Sequence, residues 1–420
     1  MRKASLFTIF LIVFIDLVGF GILLPNQQYY GETLGIHNPF FLTLIGPAYS
    51  FFQFLFAPIL GAWSDRVGRR PVLIVSQIGT LIGFLLLFTC HLVIGLSPAL
   101  AIFLLYFSRV LDGISGGNIS IASAYIADIT EPKDRAKGMG VIGAAFGIGF
   151  VFGPAIGGLV GKYLGLQWVP IVAAIFSLSA LIMTILTLPE SHHPGEKTED
   201  ARRFSFTGLQ HALARPIIGA MIFMSFVNGF AFAGMEQTFS LLIQERGSLT
   251  PENASGASGY LFGGIGIIIV FVQGGMIGRL TKRFGEPALA ITGPFLIAIG
   301  LVIVGLAGKL TGIWPDLILG SALLALGSSL FNPSIQSLIS RHASQQEQGE
   351  ILGASQGMAS LARAAGPLLA GYLYWQLASA APYLASAGIC LLVSFWALAM
   401  RQKLRPPASA SSSVVSATTA

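Results

Sequence analysis

The sequence predicts an all-α polytopic membrane protein in which twelve transmembrane helices form two pseudo-symmetric six-helix bundles. Composition, the length of the apolar runs and an internal repeat support this prediction. Of the 420 residues, 54% are hydrophobic and only 10% are charged, whereas soluble proteins carry about 25% charged residues. An ordinary water-soluble globule is therefore excluded. The 51 glycines agree with this, since glycine lets membrane helices approach closely.

Twelve apolar runs are long enough to cross a bilayer, which takes about 20 mostly apolar residues. Clusters of charge, proline and polar residues separate them. The run after Arg2 and Lys3 starts like a signal peptide, but it continues past Leu24 without a small-residue cleavage site, so it counts as the first span. The predicted spans cover residues 5–29, 40–63, 71–94, 98–124, 138–161, 167–188, 214–242, 256–279, 287–308, 314–338, 349–375 and 380–400.

The basic residues are distributed unequally between the two sides of these spans. With the N-terminus inside, the inner segments hold 19 Lys and Arg residues, and the outer loops hold three, at Lys162, Arg246 and Lys309. An excess of positive charge marks the cytoplasmic side. We therefore expect both termini in the cytoplasm and the protein in the plasma membrane, the inner membrane of a bacterium. The net charge of +6 then reflects topology and not a nucleic-acid partner.

The longest inner connection divides the chain into two bundles. Residues 1–188 are predicted to form the first bundle, 189–213 a charged cytoplasmic linker and 214–405 the second bundle; the Ser/Ala/Thr-rich tail at 406–420 is expected to be disordered. His192 and His193 in the linker lack the helical spacing or nearby cysteine of a metal site. Cys90 and Cys390 lie in unrelated apolar runs. No metal, cofactor or disulfide framework is expected.

The two halves repeat weakly but in order along the chain. A shift of 213 residues places Gly153 and Pro154 of span five on Gly366 and Pro367 of span eleven. Further glycines, an asparagine and a serine coincide at a shift of 214. An even number of spans in each half makes the repeats parallel, with a central site expected at their interface. This geometry suits alternating access.

Five motifs occur in order along the predicted spans. Residues 61–71, GAWSDRVGRRP, resemble the signature loop of the major facilitator superfamily, and residues 105–117 resemble its intramembrane arginine motif. Residues 149–158 are similar to the motif of its exporters, with Gly149, Gly153, Pro154, Gly157 and Gly158. Residues 16–25 and 188–191 resemble the twelve-span drug:proton antiporters, which include tetracycline and multidrug exporters.

The second half departs from this pattern. Arg279 stands where the first half has Asp65, so the acidic part of the loop motif is absent there. Tetracycline exporters have acidic residues in spans three and nine, but residues 71–94 and 287–308 contain no charged residue. We therefore expect an asymmetric gate, and tetracycline itself is disfavoured as the substrate.

The signature loop is predicted to form a cytoplasmic gate. Asp65 at a helix end can accept N-terminal amides of a helix or pair with cations, and Gly61 would permit a close helix crossing. The resemblance implies that Arg69 reaches Asp128 at the end of span four. The alternative is that the arginines of the loop only set topology. The predicted gate consists of Gly61, Asp65, Arg69, Arg70 and Asp128.

Five charges lie well inside the predicted spans, at Asp16, Arg109, Asp112, Glu236 and Arg363. Each would cost roughly 2.5 to 3.5 kcal/mol if it faced lipid, so they should face the interior. A dry site favours a neutral carboxyl group and a nearby arginine favours its ionised form. Movement of Asp16 or Asp112 relative to Arg109 could therefore load and release a proton, with Glu236 as a further candidate. The alternatives are a permanent Arg109–Asp112 ion pair and a water-exposed Glu236.

Polar residues on one face of several spans predict a substrate cavity. Asn228, Phe232 and Glu236 share an arc of span seven, as Gln356 and Arg363 share a face of span eleven. The glycines of span five point equally to packing and to an exporter role. The full predicted cavity consists of Asn26, Asn228, Phe232, Glu236, Asn332, Gln356 and Arg363.

The sequence is compatible with three functions. The motifs favour a proton-coupled exporter of amphipathic organic compounds or drugs. We do not expect the protein to be an enzyme. The alternative is a proton-coupled uptake symporter for a small anionic solute recognised by Arg109 and Arg363, and a signalling receptor on the same fold is the third. An ATP-driven pump is disfavoured, because Gly161 and Lys162 do not belong to a phosphate-binding loop. The expected partners are a small-molecule substrate, protons and the lipid bilayer, and the chain is expected to be monomeric.

Overall fold

The structure is a computed structural model that describes residues 6–36, 38–130, 135–191, 206–343 and 348–404. Every regular element in these ranges is a helix. The predicted disordered tail at 406–420 and the histidine pair of the linker lie outside the described residues.

The first half contains eight helices. A short 3₁₀ turn at Leu166–Trp168 precedes the last of them. They are α1 (Leu6–Leu23), α2 (Gln27–Thr33), α3 (Pro39–Val67), α4 (Arg69–Val93), α5 (Pro98–Ser115), α6 (Asn118–Ile129), α7 (Arg135–Tyr163) and α8 (Val169–Thr187).

The described part of the second half also contains eight helices. A π-helical turn at Val272–Met276 joins the third to the fourth. They are α9 (Phe206–Ala214), α10 (Pro216–Gly247), α11 (Pro251–Phe271), α12 (Ile277–Phe284), α13 (Glu286–Gly305), α14 (Ile313–His342), α15 (Gln348–Gln376) and α16 (Ala381–Ala399).

The predicted twelve-span architecture is confirmed. Among the described residues, 10 helical segments are long and apolar enough to cross a membrane. The exporter-motif helix α7 and its counterpart α15, with 29 residues each, pack among these segments and complete the set.

Several helices begin at capping signals visible in the sequence. Asn38, Ser97 and Thr250 each accept a hydrogen bond from an amide in the first turn of the helix that follows. Each cap precedes a proline, which suits the first helical position because its missing N–H has no intrahelical partner there. The starts of α3 and α5 agree with the predicted spans within one residue, whereas α11 begins at Pro251, five residues before the predicted start at 256.

In the first half, two predicted spans are each divided between separate helices. Span one, predicted at 5–29, ends at Leu23, because Pro25 lacks an amide hydrogen to continue the helix, and α2 follows as a separate short helix. Span four is divided between α5 and α6 at Gly116 and Gly117, where two consecutive glycines weaken the helix.

The C-terminal part of the predicted linker is helical. Residues 192–205 lie outside the described part of the chain. Helix α9 begins inside the predicted linker of 189–213, ends at Ala214 and packs against α10 and α15. Residues 206–213 therefore pack with the second half, which a charged, polar composition did not indicate.

The long helices run alternately up and down, so their loops lie on two faces of the molecule. We call the face where α1 begins, which also carries the signature loop, the terminal face, and the opposite one the distal face. At the distal face, Tyr29 and Leu166 of the first half join a buried cluster with Phe239 and Leu242 of the second. In the described ranges, the hydrogen bonds between the halves also lie toward this face. The structure is thus closed at the distal face.

Candidate functional site

A cleft with polar and apolar lining lies between the two halves. The space between its walls, including the part that is open to solvent, is about 660 Å³. Helices α1, α3, α4, α5 and α6 of the first half and α15 of the second half line it. Its polar lining includes Asp16, Tyr49, Gln53, Asp112, Asn118 and Arg363, and we call it the central cleft.

Two amides hold Asp16 in the central cleft. Asn118 Nδ2 donates to Asp16 Oδ2 at 2.8 Å, and Gln77 Nε2 donates to the same oxygen at 3.1 Å. Asp16 Oδ1 is buried and has no hydrogen-bond partner among the described residues. The expected neighbour Arg109 pairs with Asp112 instead, so one carboxylate oxygen of Asp16 is left without a hydrogen-bond partner among the described residues.

Arg109 and Asp112 form a buried ion pair on one face of α5. Arg109 Nη1 lies 3.2 Å from Asp112 Oδ2, and the two side chains are 3% and 2% exposed. The Arg109 guanidinium also lies over the ring of Phe84, at 5.8 Å from its centroid. Spacing of three residues on a helix brings these groups together, as the sequence indicated. Asp112 lines the central cleft, so the pair connects the cleft to the core of the first half.

The second half contributes charge to the cleft through Arg363. Its Nη2 donates to Ser360 Oγ at 3.0 Å, one turn earlier on α15. Glu236 on α10 is partly buried and lies within electrostatic range of Arg363. The sequence placed both residues on inward faces of their helices, and the structure brings them near each other.

The remaining residues of the predicted cavity lie in different surroundings. Asn26 accepts a hydrogen bond from Ser255 in the distal contact between the halves. Asn228 accepts from the Cys390 thiol at 3.8 Å and so faces α16. Phe232 packs on the apolar core, while Asn332 and Gln356 are exposed. A shared helical face identifies neighbours on one helix, but it does not show which other helix that face meets.

Arg69 is the centre of the predicted gate. Its Nε donates to Asp128 Oδ2 at 3.0 Å, the contact that the resemblance implied. Its Nη1 donates to Ser64 Oγ at 2.7 Å and forms an ion pair with Asp65. Arg70 lies beside it and donates to the carbonyl of Ile185 at 2.7 Å. The signature loop is therefore joined to the terminal ends of α6 and α8.

One detail of the gate differs from expectation, and Asp65 takes the second of its two expected roles, pairing with the cation Arg69. Gly61 does not provide a close helix crossing, because a Cβ atom there would lie 3.9 Å from Ser120 Oγ, an ordinary contact distance. The N-terminal amides of α4 are bound by Glu190 and not by Asp65. Glu190 Oε1 accepts from Arg69 N at 2.8 Å and Oε2 accepts from Arg70 N at 3.1 Å.

Glu190 belongs to a gate contact that sequence reasoning missed. The sequence assigned it only to a family motif at the end of span six. Ser191, the next residue, donates through Oγ to Asp128 Oδ2 at 3.1 Å. An acidic residue is stabilised at a helix N-terminus, but the cap acts across more than a hundred residues, so local capping signals did not reveal it.

The glycines of the exporter motif lie in a seam between helices. Gly149 packs against Leu17, Gly153 against Gly21 and Gly157 against Ile22, all on α1. Gly158 instead meets the backbone of Gly259 on α11, across the boundary between the halves. Pro154 lies within the same helix, next to Gly21. The motif therefore packs α7 closely against α1 of its own bundle and, through Gly158, against α11 of the other bundle.

Helix α2 adds polar contacts to the distal closure. Gln27 Nε2 donates to Gln237 Oε1 at 2.9 Å, and Gln28 Nε2 donates to the Gln237 carbonyl at 2.5 Å. The Tyr29 hydroxyl donates to the carbonyl of Ser240. Three consecutive residues of α2 thus bind α10 of the other half.

Two helical bundles around a central cleft that is closed at one face have the architecture of a membrane transporter. The chain belongs to the Major Facilitator Superfamily, whose sequence pattern it matches over residues 9–314 and 274–418. It is accordingly a multi-pass transporter of a small-molecule substrate and not an enzyme.

Individual relatives extend over most of the chain. Human major facilitator superfamily domain-containing protein 10 is 32% identical over 406 residues, covering 92% of this chain and 82% of that protein. Tetracycline resistance protein, class C, of Escherichia coli is 31% identical over 374 residues, covering 87% and 89%. The crystal structure of the human organic anion transporter MFSD10 (TETRAN) superposes with a TM-score of 0.68 at 28% identity, covering 93% of this chain and 98% of that one.

Proposed function

We propose that the protein is a proton-coupled exporter of amphipathic organic compounds that works by alternating access. One observation carries the proposal: Asp16 lies in the central cleft between the halves, held by two amides instead of a cation, with one oxygen unpartnered. Such a group can bind a proton in one state and exchange it for a substrate in another. Asp112, Arg109 and Glu236 complete the proposed coupling set.

The two faces of the molecule have different roles in this mechanism. The distal contacts of α2 and of the Gly158–Gly259 seam close the cleft on one side. The cluster of Arg69, Asp65 and Asp128 ties the terminal ends of the first half together and forms the proposed cytoplasmic gate. With both termini in the cytoplasm of a bacterium, the distal face is external and the described state receives substrate from inside.

The names of two relatives support transport of organic compounds. One is a tetracycline resistance protein and the other an organic anion transporter. The similarity of the exporter motif favours export over uptake. We also propose that the protein is a monomer, because one chain supplies all the residues that line the central cleft.

The uptake symporter for a small anionic solute is the second candidate. Arg363 lines the central cleft and supplies positive charge there, which favours an anionic ligand. An anion and a proton would then move together in one direction, whereas exchange moves them in opposite directions.

Proton movement in proteoliposomes distinguishes these functions. Purified protein is reconstituted with a pH-sensitive dye inside the vesicles, and cationic, neutral and anionic amphipathic compounds are added in turn. An exporter working by exchange moves protons opposite to the compound. Movement of both in the same direction would establish the symporter instead. A compound that binds without proton or substrate flux would indicate a receptor.

A further inference from the structure

Tyr49 and Arg363 approach the central cleft from opposite halves. Tyr49 lies on α3, and Arg363 lies on α15, which packs against α3. Both side chains line the cleft, and they lie within electrostatic range of each other. The sequence predicts Arg363 as a cavity residue, whereas Tyr49 lies outside the predicted cavity.

The surroundings of Tyr49 determine what its hydroxyl can do. Its ring packs on Phe20 with the centroids 4.8 Å apart. Gln53 Nε2 donates to the Tyr49 hydroxyl oxygen at 2.9 Å and is itself held by the Gly116 carbonyl at 2.8 Å. Because this amide uses an acceptor position of the hydroxyl oxygen, the O–H hydrogen is left to donate.

Arg363 is a second donor at the same place. A guanidinium has five N–H donors and no acceptor, and Ser360 takes up one of them through Nη2. Donors from a tyrosine and an arginine match the oxygens of a carboxylate or sulfonate, which accept several hydrogen bonds at once.

The same cleft offers the opposite charge on the side of the first half. Asp16 lines it with Oδ1 unpartnered, while Oδ2 is held by Gln77 and Asn118. Asp16 and Arg363 line the same cleft from opposite halves, so a ligand bound in the cleft lies between them. A ligand that satisfies both groups carries a negative group toward Arg363 and a positive group toward Asp16.

We propose that Tyr49 and Arg363 form a subsite for the carboxylate or sulfonate of the substrate, and that the exported compounds are amphipathic zwitterions. This assignment rests on the proposed exporter function and specifies its substrate class. The cationic group of the zwitterion takes the place of the proton at Asp16, so that the proton leaves as the substrate binds.

Electrostatic linkage explains why a zwitterion fits exchange better than a simple anion. An anion at Arg363 is opposed by ionised carboxylates in the same cleft, so its binding favours a protonated Asp16. A purely anionic compound would therefore bind together with the proton. A zwitterion brings its own positive charge to Asp16 and competes with the proton, as exchange requires.

Binding of three related fluorescent probes to the purified protein tests the proposal. Nε-dansyl-lysine is a zwitterion, its methyl ester is a cation, and its Nα-acetyl derivative is an anion. We expect the wild-type protein to bind the zwitterion most tightly. Arg363→Gln should weaken zwitterion binding about tenfold or more and leave ester binding nearly unchanged, because it removes a hydrogen bond between charged groups. Tyr49→Phe should weaken it a few-fold by removing one neutral donor, roughly 1 kcal/mol.

Controls separate the subsite from general structural effects. Arg283→Gln removes an exposed cation from α12, away from the cleft, and should change none of the three affinities. Arg363→Lys keeps the charge and should restore part of the zwitterion affinity. A wild-type protein that binds the ester as tightly as the zwitterion, or binds neither, overturns the proposal. An Arg363→Gln variant that loses both affinities equally also overturns it.

Proton release measured on the same samples keeps this proposal distinct from the exporter function. A preference for the zwitterion without proton release would support the subsite and contradict proton coupling. Proton release on binding the ester, with no preference for a carboxylate, would support coupling and refute the subsite.

Discussion

Glu190 caps the helix that begins with Arg69: its Oε1 accepts the Arg69 backbone amide at 2.8 Å. The side chain of the same arginine binds Asp65 and Asp128. Arg69 therefore binds Glu190, at the end of the first half, through its backbone amide. Its side chain binds Asp65 of the signature loop and Asp128 at the end of α6. A substitution at Glu190 should therefore affect the gate while the side chains of Arg69, Asp65 and Asp128 stay unchanged.

Glu190→Ala tests this connection. Loss of an N-terminal cap costs about 0.5 to 2 kcal/mol, so we expect a lower thermal unfolding temperature in detergent and slower transport. Glu190→Gln, which keeps an acceptor oxygen, should retain much of both. An alanine variant with unchanged unfolding temperature and transport would show that the cap does not support the gate.

Asp65→Asn should abolish transport while leaving membrane insertion and abundance near normal. The substitution removes one ion pair of Arg69 but leaves the 3.0 Å contact with Asp128, so the loop keeps its fold and loses its charge balance. Transport and protein level are measured in the same vesicles. Arg66→Gln changes an exposed arginine of the same loop and serves as the control. Normal transport by Asp65→Asn would mean that the loop sets membrane topology and does not act as a gate.

Asp16→Asn should uncouple transport from the proton gradient. Asparagine preserves size and can still bond to Gln77 and Asn118, but it exchanges no proton. We expect the substrate accumulation ratio to fall to about 1, since no gradient energy is transferred, while exchange without a gradient continues. Asp112→Asn should have a milder effect if Asp112 mainly orients Arg109. Substrate-induced pH change in proteoliposomes is the measurement, and normal coupling in Asp16→Asn would remove it from the carrier role.

Gly158→Ala should prevent tight closure of the distal face. The added methyl group meets the backbone of Gly259 across the halves, so α7 and α11 must separate. Overpacking of this kind costs about 1 to 3 kcal/mol, enough to shift the population toward a distally open state. Gly264→Ala is the matched control, because a Cβ atom at Gly264 has no neighbour within 4 Å.

The readout for this pair is a cysteine placed at Ile119, which lines the central cleft. The native Cys90 and Cys390 are both buried. An impermeant maleimide added from the distal side should label the new cysteine faster in the Gly158→Ala background than in the Gly264→Ala background. Equal labelling rates would mean that the glycine seam does not hold the distal face closed.

Topology is checked by reporter fusions. Reporters placed after Arg203 and after Arg405 should both report a cytoplasmic location, as the excess of basic residues in the inner segments requires. An external location for either one would contradict the orientation of the exporter.

Long apolar segments and the Arg69–Asp128 contact were predictable from the chain. Hydropathy is a property of consecutive residues, and the cost of exposed backbone groups in lipid forces each long apolar segment into a helix. The Arg69 contact followed from a motif whose residues are few and specific. The Arg109–Asp112 pair depends only on helical spacing, so it could also be predicted from the sequence.

The partners of the same residues depended on helix rotation and crossing. Asp16 was expected beside Arg109 and instead binds Gln77 and Asn118, each from a different helix. Asn228 lies on the predicted arc of α10, but its side-chain oxygen accepts from Cys390 of α16, and none of the described residues of α10 lines the central cleft. Small changes in rotation about a helix axis decide between such partners, and no local pattern records them.

The sequence by itself determined that this chain is a twelve-helix membrane protein with two related halves and buried charges, because burial costs in lipid act on each segment separately. Only the tertiary structure decided that Glu190 caps α4, that Gly158 meets Gly259, and that Tyr49 and Arg363 share one cleft. Those contacts join residues from distant parts of the chain. They arise from close packing of helix surfaces, where the fit of one pair depends on the positions of all the others.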